Sequence, residues 1–128
     1  MKYLTLEEIL YLHDSIILKT GGREGVRDFS LLYSAIERPK ASFAGKDLYK
    51  DVFSKAAALV HSLVLNHPFV DGNKRTAIAS LIRFLKVNNL NLQASQKELV
   101  DFVLAIESKK MGVEGIVSYL KKSLTIKK

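Results

Sequence analysis

Apolar residues recur at helical spacing in six segments of the chain, and residues that begin or end helices bound these segments. Residues 5–8 (TLEE) and 95–98 (SQKE) are capping boxes, in which a hydroxyl and a glutamate three residues later satisfy free backbone N–H groups. The first box predicts a helix that begins at Thr5 and ends at Gly21-Gly22. The second predicts a helix from Ser95 to about Glu107.

Four further helices follow from the same start and stop signals. Asp28 is a good N-cap, and Pro39 prevents the helix that Asp28 begins from continuing. We predict these helices at Phe29 to about Glu37, about Asp51 to Asn66, about Asn73 to Val87, and from Gly112–Gly115 to near Leu124. The second of the four is apolar around most of its circumference, so we expect it to be the central, buried helix.

The connections between these helices are short, apart from a polar segment from Lys40 to Lys50. This segment contains Gly45 and is long enough for a short hairpin or an exposed flap. Leu90 and Leu92 alternate with polar residues, which predicts one short strand. The pattern therefore predicts an all-α fold, a compact bundle of about six helices that forms one domain over residues 1–128.

Composition narrows the possible functions. The chain has no cysteine, which excludes a thiol nucleophile and a cysteine-ligated zinc site. Glu7 and Glu8 interrupt any signal-peptide core, and the longest uncharged run, Ala56 to Val70, is too short to span a bilayer. We therefore expect a cytoplasmic protein without a membrane partner. The net charge of +7 favours phosphates, nucleic acid or an acidic partner, but no module that reads bases is visible.

The segment from His67 to Arg75 gathers residue types that phosphate-transfer chemistry requires. Histidine titrates near neutral pH, so His67 can take a proton from a hydroxyl. Asp71 offers the hard oxygen ligand that suits Mg²⁺. Gly72 permits close backbone approach, and the free N–H groups at the start of the following helix can bind an anion. Lys74 and Arg75 add two cations beside that position.

Each of these residues also has an ordinary structural interpretation. His67 can end a helix, Asp71-Gly72 can form a common turn, and Lys74-Arg75 can be a solvated pair. The residues alone leave the functional and structural interpretations evenly balanced.

Residues 67–76, HPFVDGNKRT, resemble the signature His-x-Phe-x-Asp/Glu-Ala/Gly-Asn-Gly/Lys-Arg of the Fic/Doc family. Seven positions match: His67, Phe69, Asp71, Gly72, Asn73, Lys74 and Arg75. The resemblance to Doc-type members extends over nearly the whole chain, including Gly25 to Asp28, Arg38-Pro39 and Phe43 to Gly45.

The resemblance implies the small helical bundle of that family and an ATP- and Mg²⁺-dependent transferase. His67 would be the general base, Asp71 would bind Mg²⁺, and the segment from Lys40 to Lys50 would form a flap that docks the target. Lys74 and Arg75 would take part in catalysis. The residues implied for nucleotide binding are Gly72, Asn73, Lys74 and Arg75.

Lys74 indicates which branch of the family the chain resembles. AMP-transferring members usually have glycine there and often have a second arginine where this chain has Ala77 and Ile78. The pattern Asn-Lys-Arg-Thr is that of Doc-type toxins, which resemble protein kinases. Such a toxin implies a cognate antitoxin, a translation elongation factor as target, and DNA contact only through the antitoxin. Two alternatives stay open: nucleotidyl transfer at the same site, and a non-catalytic module that binds the antitoxin and regulates the operon.

Residues 20–25, TGGREG, match a self-inhibitory pattern of some Fic proteins, Ser/Thr-x-x-x-Glu-Gly/Asn. That pattern acts from a helix, and Gly21-Gly22 disfavours a helix here. We therefore interpret the match as a coincidence and expect inhibition by a separate chain.

Overall fold

Six α-helices dominate the structure, a computed structural model that describes residues 1–123 and 125–127. They are α1 Leu6–Thr20, α2 Phe29–Glu37, α3 Val52–Asn66, α4 Asn73–Val87, α5 Gln96–Ser108 and α6 Val113–Ser123. The strands are β1 Ser42–Phe43, β2 Lys46–Asp47, β3 Asn91–Gln93 and β4 Thr125–Lys127, and Arg38–Lys40 form a 3₁₀ turn after α2. The predicted all-α bundle of about six helices is confirmed.

The helices begin where side chains satisfy their free N–H groups. Both predicted capping boxes are present, with the hydroxyls of Thr5 and Ser95 accepting from the backbone N–H groups three residues later. Asp28 caps α2 as predicted, and Asp51 forms a third box with Ser54 at the start of α3. The predicted end of the last helix near Leu124 lies outside the described residues.

Helix α3 is the central helix, as its apolar circumference predicted. It contacts α2, α4, α5 and α6, and Ala56, Ala57 and Ala58 in its first half have no exposed surface. Small side chains at these positions let the neighbouring helices approach α3 closely. No described helix is long and apolar enough to cross a membrane.

The segment from Lys40 to Lys50 forms the predicted hairpin. Strands β1 and β2 pair antiparallel, and Ala44 and Gly45 both have positive φ in the turn between them. The buried ammonium of Lys55 on α3 donates to the carbonyl of Pro39 at 3.2 Å and lies 3.3 Å from a carboxylate oxygen of Asp47. This lysine anchors the hairpin to the bundle.

The short strand predicted at Leu90 and Leu92 is β3. It pairs antiparallel with β4, so Leu92 lies opposite Ile126. The pairing joins the segment that follows α4 to the segment that follows α6, a contact that the local pattern of β3 did not predict.

Candidate active site

His67 ends α3 in a left-handed conformation, with φ 47° and ψ 55°. Non-glycine residues adopt this conformation infrequently, and it turns the chain sharply away from the helix axis. Arg27 stabilises the turn by donating to the carbonyl oxygens of His67, at 2.7 Å, and Asn66, at 2.8 Å. The predicted general base is therefore also the residue that ends the central helix.

Phe69 anchors the loop between α3 and α4, since only 1% of its surface is exposed. The side chain of Asn73 accepts from the backbone N–H of Phe69 at 2.8 Å and donates to the carbonyl oxygen of Phe69 at 3.0 Å. The buried ring of His13 stacks on Phe69 with 3.9 Å between centroids, and its Nε2 donates to the carbonyl oxygen of Asp71 at 2.8 Å. The sequence analysis did not reveal this contribution of His13.

Asp71 presents a carboxylate that is 43% exposed at the mouth of this loop. Its oxygens accept from the backbone N–H groups of Gly72, at 2.8 Å, and Arg23, at 3.1 Å. These two N–H groups, above all that of Arg23, hold the pKa of the carboxyl below its usual range, and the Arg75 guanidinium 3.8 Å away lowers it further. Asp71 is therefore ionised at neutral pH and can serve as an oxygen ligand.

Helix α4 begins directly beside Asp71 with its free N–H groups facing the loop. Gly72 is its N-cap at φ 75°, and no side chain among the described residues caps the helix. A Cβ atom on Gly72 would be strained at this φ and would lie 3.1 Å from a methyl group of Ile17. An uncapped helix start of this kind favours a bound anion.

The predicted site residues come together around one polar cleft of about 250 Å³. Its lining residues are His67, Val70, Asp71, Gly72, Asn73, Lys74 and Arg75. The side chains of Lys74 and Arg75 diverge there. The Lys74 ammonium lies 3.1 Å from Glu107 of α5, whereas Arg75 donates to the hydroxyl of Thr20 and to the carbonyl oxygen of Gly21.

Glu107 is the main site residue that the sequence did not reveal. One of its carboxylate oxygens lies 2.7 Å from Nε2 of His67, and the other is the partner of Lys74. The C-terminal end of a helix disfavours acidic groups. A glutamate in the last turn of a predicted helix was therefore the one sign in the sequence that Glu107 has a partner elsewhere.

The segment that follows α1 is not helical, as its two glycines predicted. It nevertheless lies along the candidate site. Val26 forms an isolated antiparallel bridge with Phe69, and the N–H of Val70 donates to the carbonyl oxygen of Gly25 at 3.0 Å. The loop between α1 and α2 therefore supports the loop that carries the signature.

Comparison with known proteins identifies the family. The model of the Fic/DOC family matches residues 3–85, which include every signature position. The chain belongs to the Fic/DOC family. One curated relative is the "Toxin Doc" of Mycolicibacterium smegmatis, which is 44% identical over 93 residues that cover 73% of this chain and 69% of that protein. Another is the "Protein kinase doc" of Escherichia phage P1, which is 30% identical over 122 residues that cover 95% of each chain. The Fic/DOC match agrees with the resemblance in residues 67–76.

The Asn73 side chain is expected to stabilise the loop between α3 and α4. Asn73→Ala removes two hydrogen bonds and leaves the buried N–H and C=O of Phe69 without partners, which destabilises the fold by about 1–3 kcal/mol. Urea unfolding measures the change. Asn91→Ala, at an exposed position in β3, is the control and should change stability by about 0.5 kcal/mol or less. Equal unfolding midpoints for the two variants would contradict the structural role of Asn73.

Proposed function

We propose that this chain is the toxin of a toxin–antitoxin pair and a Doc-type protein kinase. It transfers the γ-phosphate of ATP to a hydroxyl of a target protein. The observation that carries the proposal is the cleft where His67, ionised Asp71 and the uncapped start of α4 meet. A base, a metal-binding carboxylate and backbone N–H groups are the parts that phosphoryl transfer uses.

The size and charge of the cleft support a polyphosphate ligand. Pockets that enclose whole drug-sized ligands measure about 300–1,000 Å³. The cleft of about 250 Å³ is smaller and suits the phosphate chain, with the nucleoside extending beyond it. Lys74 and Arg75 lie on the first turn of α4, where their charges add to the positive end of the helix dipole.

Asp71 fits a magnesium ion held together with the nucleotide. Mg²⁺ in phosphoryl-transfer sites is usually bound by one or two carboxylates and by the substrate phosphates. Within residues 1–123, no group of three or more acidic or histidine side chains could hold a metal alone, so phosphate oxygens would complete the ligand set. When bound, Mg²⁺ would offset the negative charge of the phosphate chain.

The residues of the chain would divide the chemistry as follows. His67 takes the proton of the target hydroxyl as the hydroxyl oxygen bonds to the γ-phosphorus. The bond from the γ-phosphorus to the bridging oxygen breaks, and ADP leaves with the electron pair. Lys74, Arg75 and the N–H groups of α4 stabilise the charge that develops on the phosphate oxygens.

The relatives support the proposed biological role. One is named a toxin and the other a protein kinase. We propose a cognate antitoxin as binding partner, a cytoplasmic location, and contact with DNA only through that antitoxin. A translation elongation factor is the proposed target, on the family resemblance alone. The exposed hairpin, with the Phe43 side chain facing solvent, is the proposed docking flap.

Transfer from labelled ATP tests the proposal directly. With a target protein present, label from the γ-phosphate should appear on the target, and label from the α-phosphate should not. His67→Ala should lower the transfer by about 10²–10⁴-fold, because the general base is lost. Circular dichroism should show a folded variant. Transfer of α-label would support nucleotidyl transfer instead, and transfer of neither would support the non-catalytic module.

Removing the charge of Asp71 should abolish the response to magnesium. In Asp71→Asn, transfer should fall by at least about 100-fold and stay low as Mg²⁺ is raised, because the amide is a poor ligand for this cation. The rate is measured across a Mg²⁺ titration. Asp101→Asn makes the same change at an exposed position on α5 and should retain the wild-type curve. A normal titration for Asp71→Asn would remove this residue from the site.

Lys74 is expected to select phosphate transfer over AMP transfer. Its side chain occupies space and adds charge where AMP-transferring relatives have glycine, so we expect it to block their nucleotide pose. Lys74→Gly should sharply reduce phosphate transfer, and Lys74→Met should do so without adding backbone freedom. Intact mass of the target measures the product, since phosphorylation adds about 80 Da and AMP transfer about 329 Da. The heavier adduct from the wild-type protein would overturn the kinase proposal.

A further inference from the structure

Glu107 connects two residues of the proposed active site that lie on different elements. Its carboxylate joins Nε2 of His67, at the end of α3, to the ammonium of Lys74, in the first turn of α4. The contacts use one carboxylate oxygen each, at 2.7 Å and 3.1 Å. A single side chain from α5 therefore restrains both the proposed base and a proposed phosphate-binding cation.

The position of Glu107 is unfavourable for the helix that carries it. It is the penultimate residue of α5, whose last turn holds no basic residue. An acidic group at the negative end of a helix destabilises that helix. The contacts to His67 and Lys74 compensate for this, so the site accounts for a glutamate that the helix itself disfavours.

Helix α5 holds Glu107 at a defined position relative to the cleft. Leu99, Phe102, Val103 and Ile106 are buried in the core along one face of α5. Ile106 directly precedes Glu107 and has no exposed surface. The backbone that presents the carboxylate is therefore fixed by packing, as a residue that orients another side chain requires.

The chemistry of the carboxylate defines which nitrogen of His67 carries hydrogen. Hydrogen bonds from Lys74 and then His67 lower the pKa of Glu107, so the group is ionised at neutral pH. An ionised carboxylate can only accept hydrogen bonds, so Nε2 of His67 must be the donor. In the neutral ring the lone pair is then on Nδ1.

We propose that Glu107 is a positioning residue that fixes His67 as its Nε2–H tautomer and holds Lys74 beside the cleft. Nδ1 of His67 is then the atom that takes the hydroxyl proton, while the hydroxyl oxygen bonds to the γ-phosphorus and ADP leaves with the electron pair of the broken bond. The resulting imidazolium faces the Glu107 carboxylate, which stabilises it. The role in transfer rests on the proposed function, whereas the effect on the ring does not.

Nitrogen NMR of the histidine rings tests the effect on His67 in the full chain without nucleotide. The wild-type protein should show the Nε2–H form, and Glu107→Ala should shift both ring nitrogens towards a mixture of tautomers. Glu107→Gln should retain the wild-type form, because its amide oxygen can still accept from Nε2. The rings of His13 and His61 are internal references that should not change. An Nδ1–H form in the wild type, or an unchanged His67 ring in Glu107→Ala, would overturn the proposal.

Transfer kinetics test what positioning contributes. Glu107→Ala should lower kcat by about 10- to 100-fold, which is a smaller effect than losing the base itself. The KM for ATP should change by no more than about threefold, because the variant keeps both cations. Glu107→Gln should recover part of kcat, and Glu114→Gln, at an exposed position on α6, should match the wild type. A higher kcat in Glu107→Ala would show that Glu107 blocks the site. A lower Tm with an unchanged kcat would show that its role is purely structural. Either result would overturn positioning.

The two measurements separate this proposal from the proposed function. If the wild-type chain transfers no phosphate, the kinase proposal fails. The NMR result still decides whether Glu107 fixes the His67 ring, because that measurement needs no transfer.

Discussion

Burial of Phe69 is the constraint on which the candidate site depends. In the loop between α3 and α4, the Phe69 ring belongs to the hydrophobic core, and only 1% of its surface is exposed. With its ring stacked on His13 and its backbone held by Asn73, the loop has little freedom to move. His67 precedes this anchor by two residues and Asp71 follows it by two. Burying one ring therefore positions both side chains that we propose as functional.

The two cations of the site pair with different carboxylates. Asp71 lies 3.8 Å from Arg75, and Glu107 lies 3.1 Å from Lys74. Lysine and arginine lose considerable side-chain entropy when a ligand orders them. Here the partners of Lys74 and Arg75 hold both side chains before the proposed nucleotide binds, which reduces that loss. The N–H groups at the start of α4 are available to an anion, because no side chain in the described residues caps this helix.

Most of the fold could be predicted because its determinants are local. Capping boxes at Thr5 and Ser95, the cap at Asp28, and the glycine pair after α1 depend on residues within one or two turns of each helix end. The hairpin and β3 were also accessible from short patterns. The strand that pairs with β3 could not be predicted, because the alternation of residues shows which side of a strand is buried and not which segment pairs with it. Lys55 shows the same limit, since its helical spacing gives no sign that its ammonium is buried against the hairpin.

The sequence by itself determined the helices, the family and the loop that carries the candidate chemistry, because these depend on neighbouring residues. The tertiary structure alone decided which distant side chains complete the site. His13 lies 58 residues from Asp71, Arg27 lies 40 residues from His67, and Glu107 lies 40 residues beyond it. Helical periodicity places each of them on a face of its helix or near a helix end. Only the packing of α1, of α5 and of the segment between α1 and α2 against α3 and α4 determines which loop those residues meet.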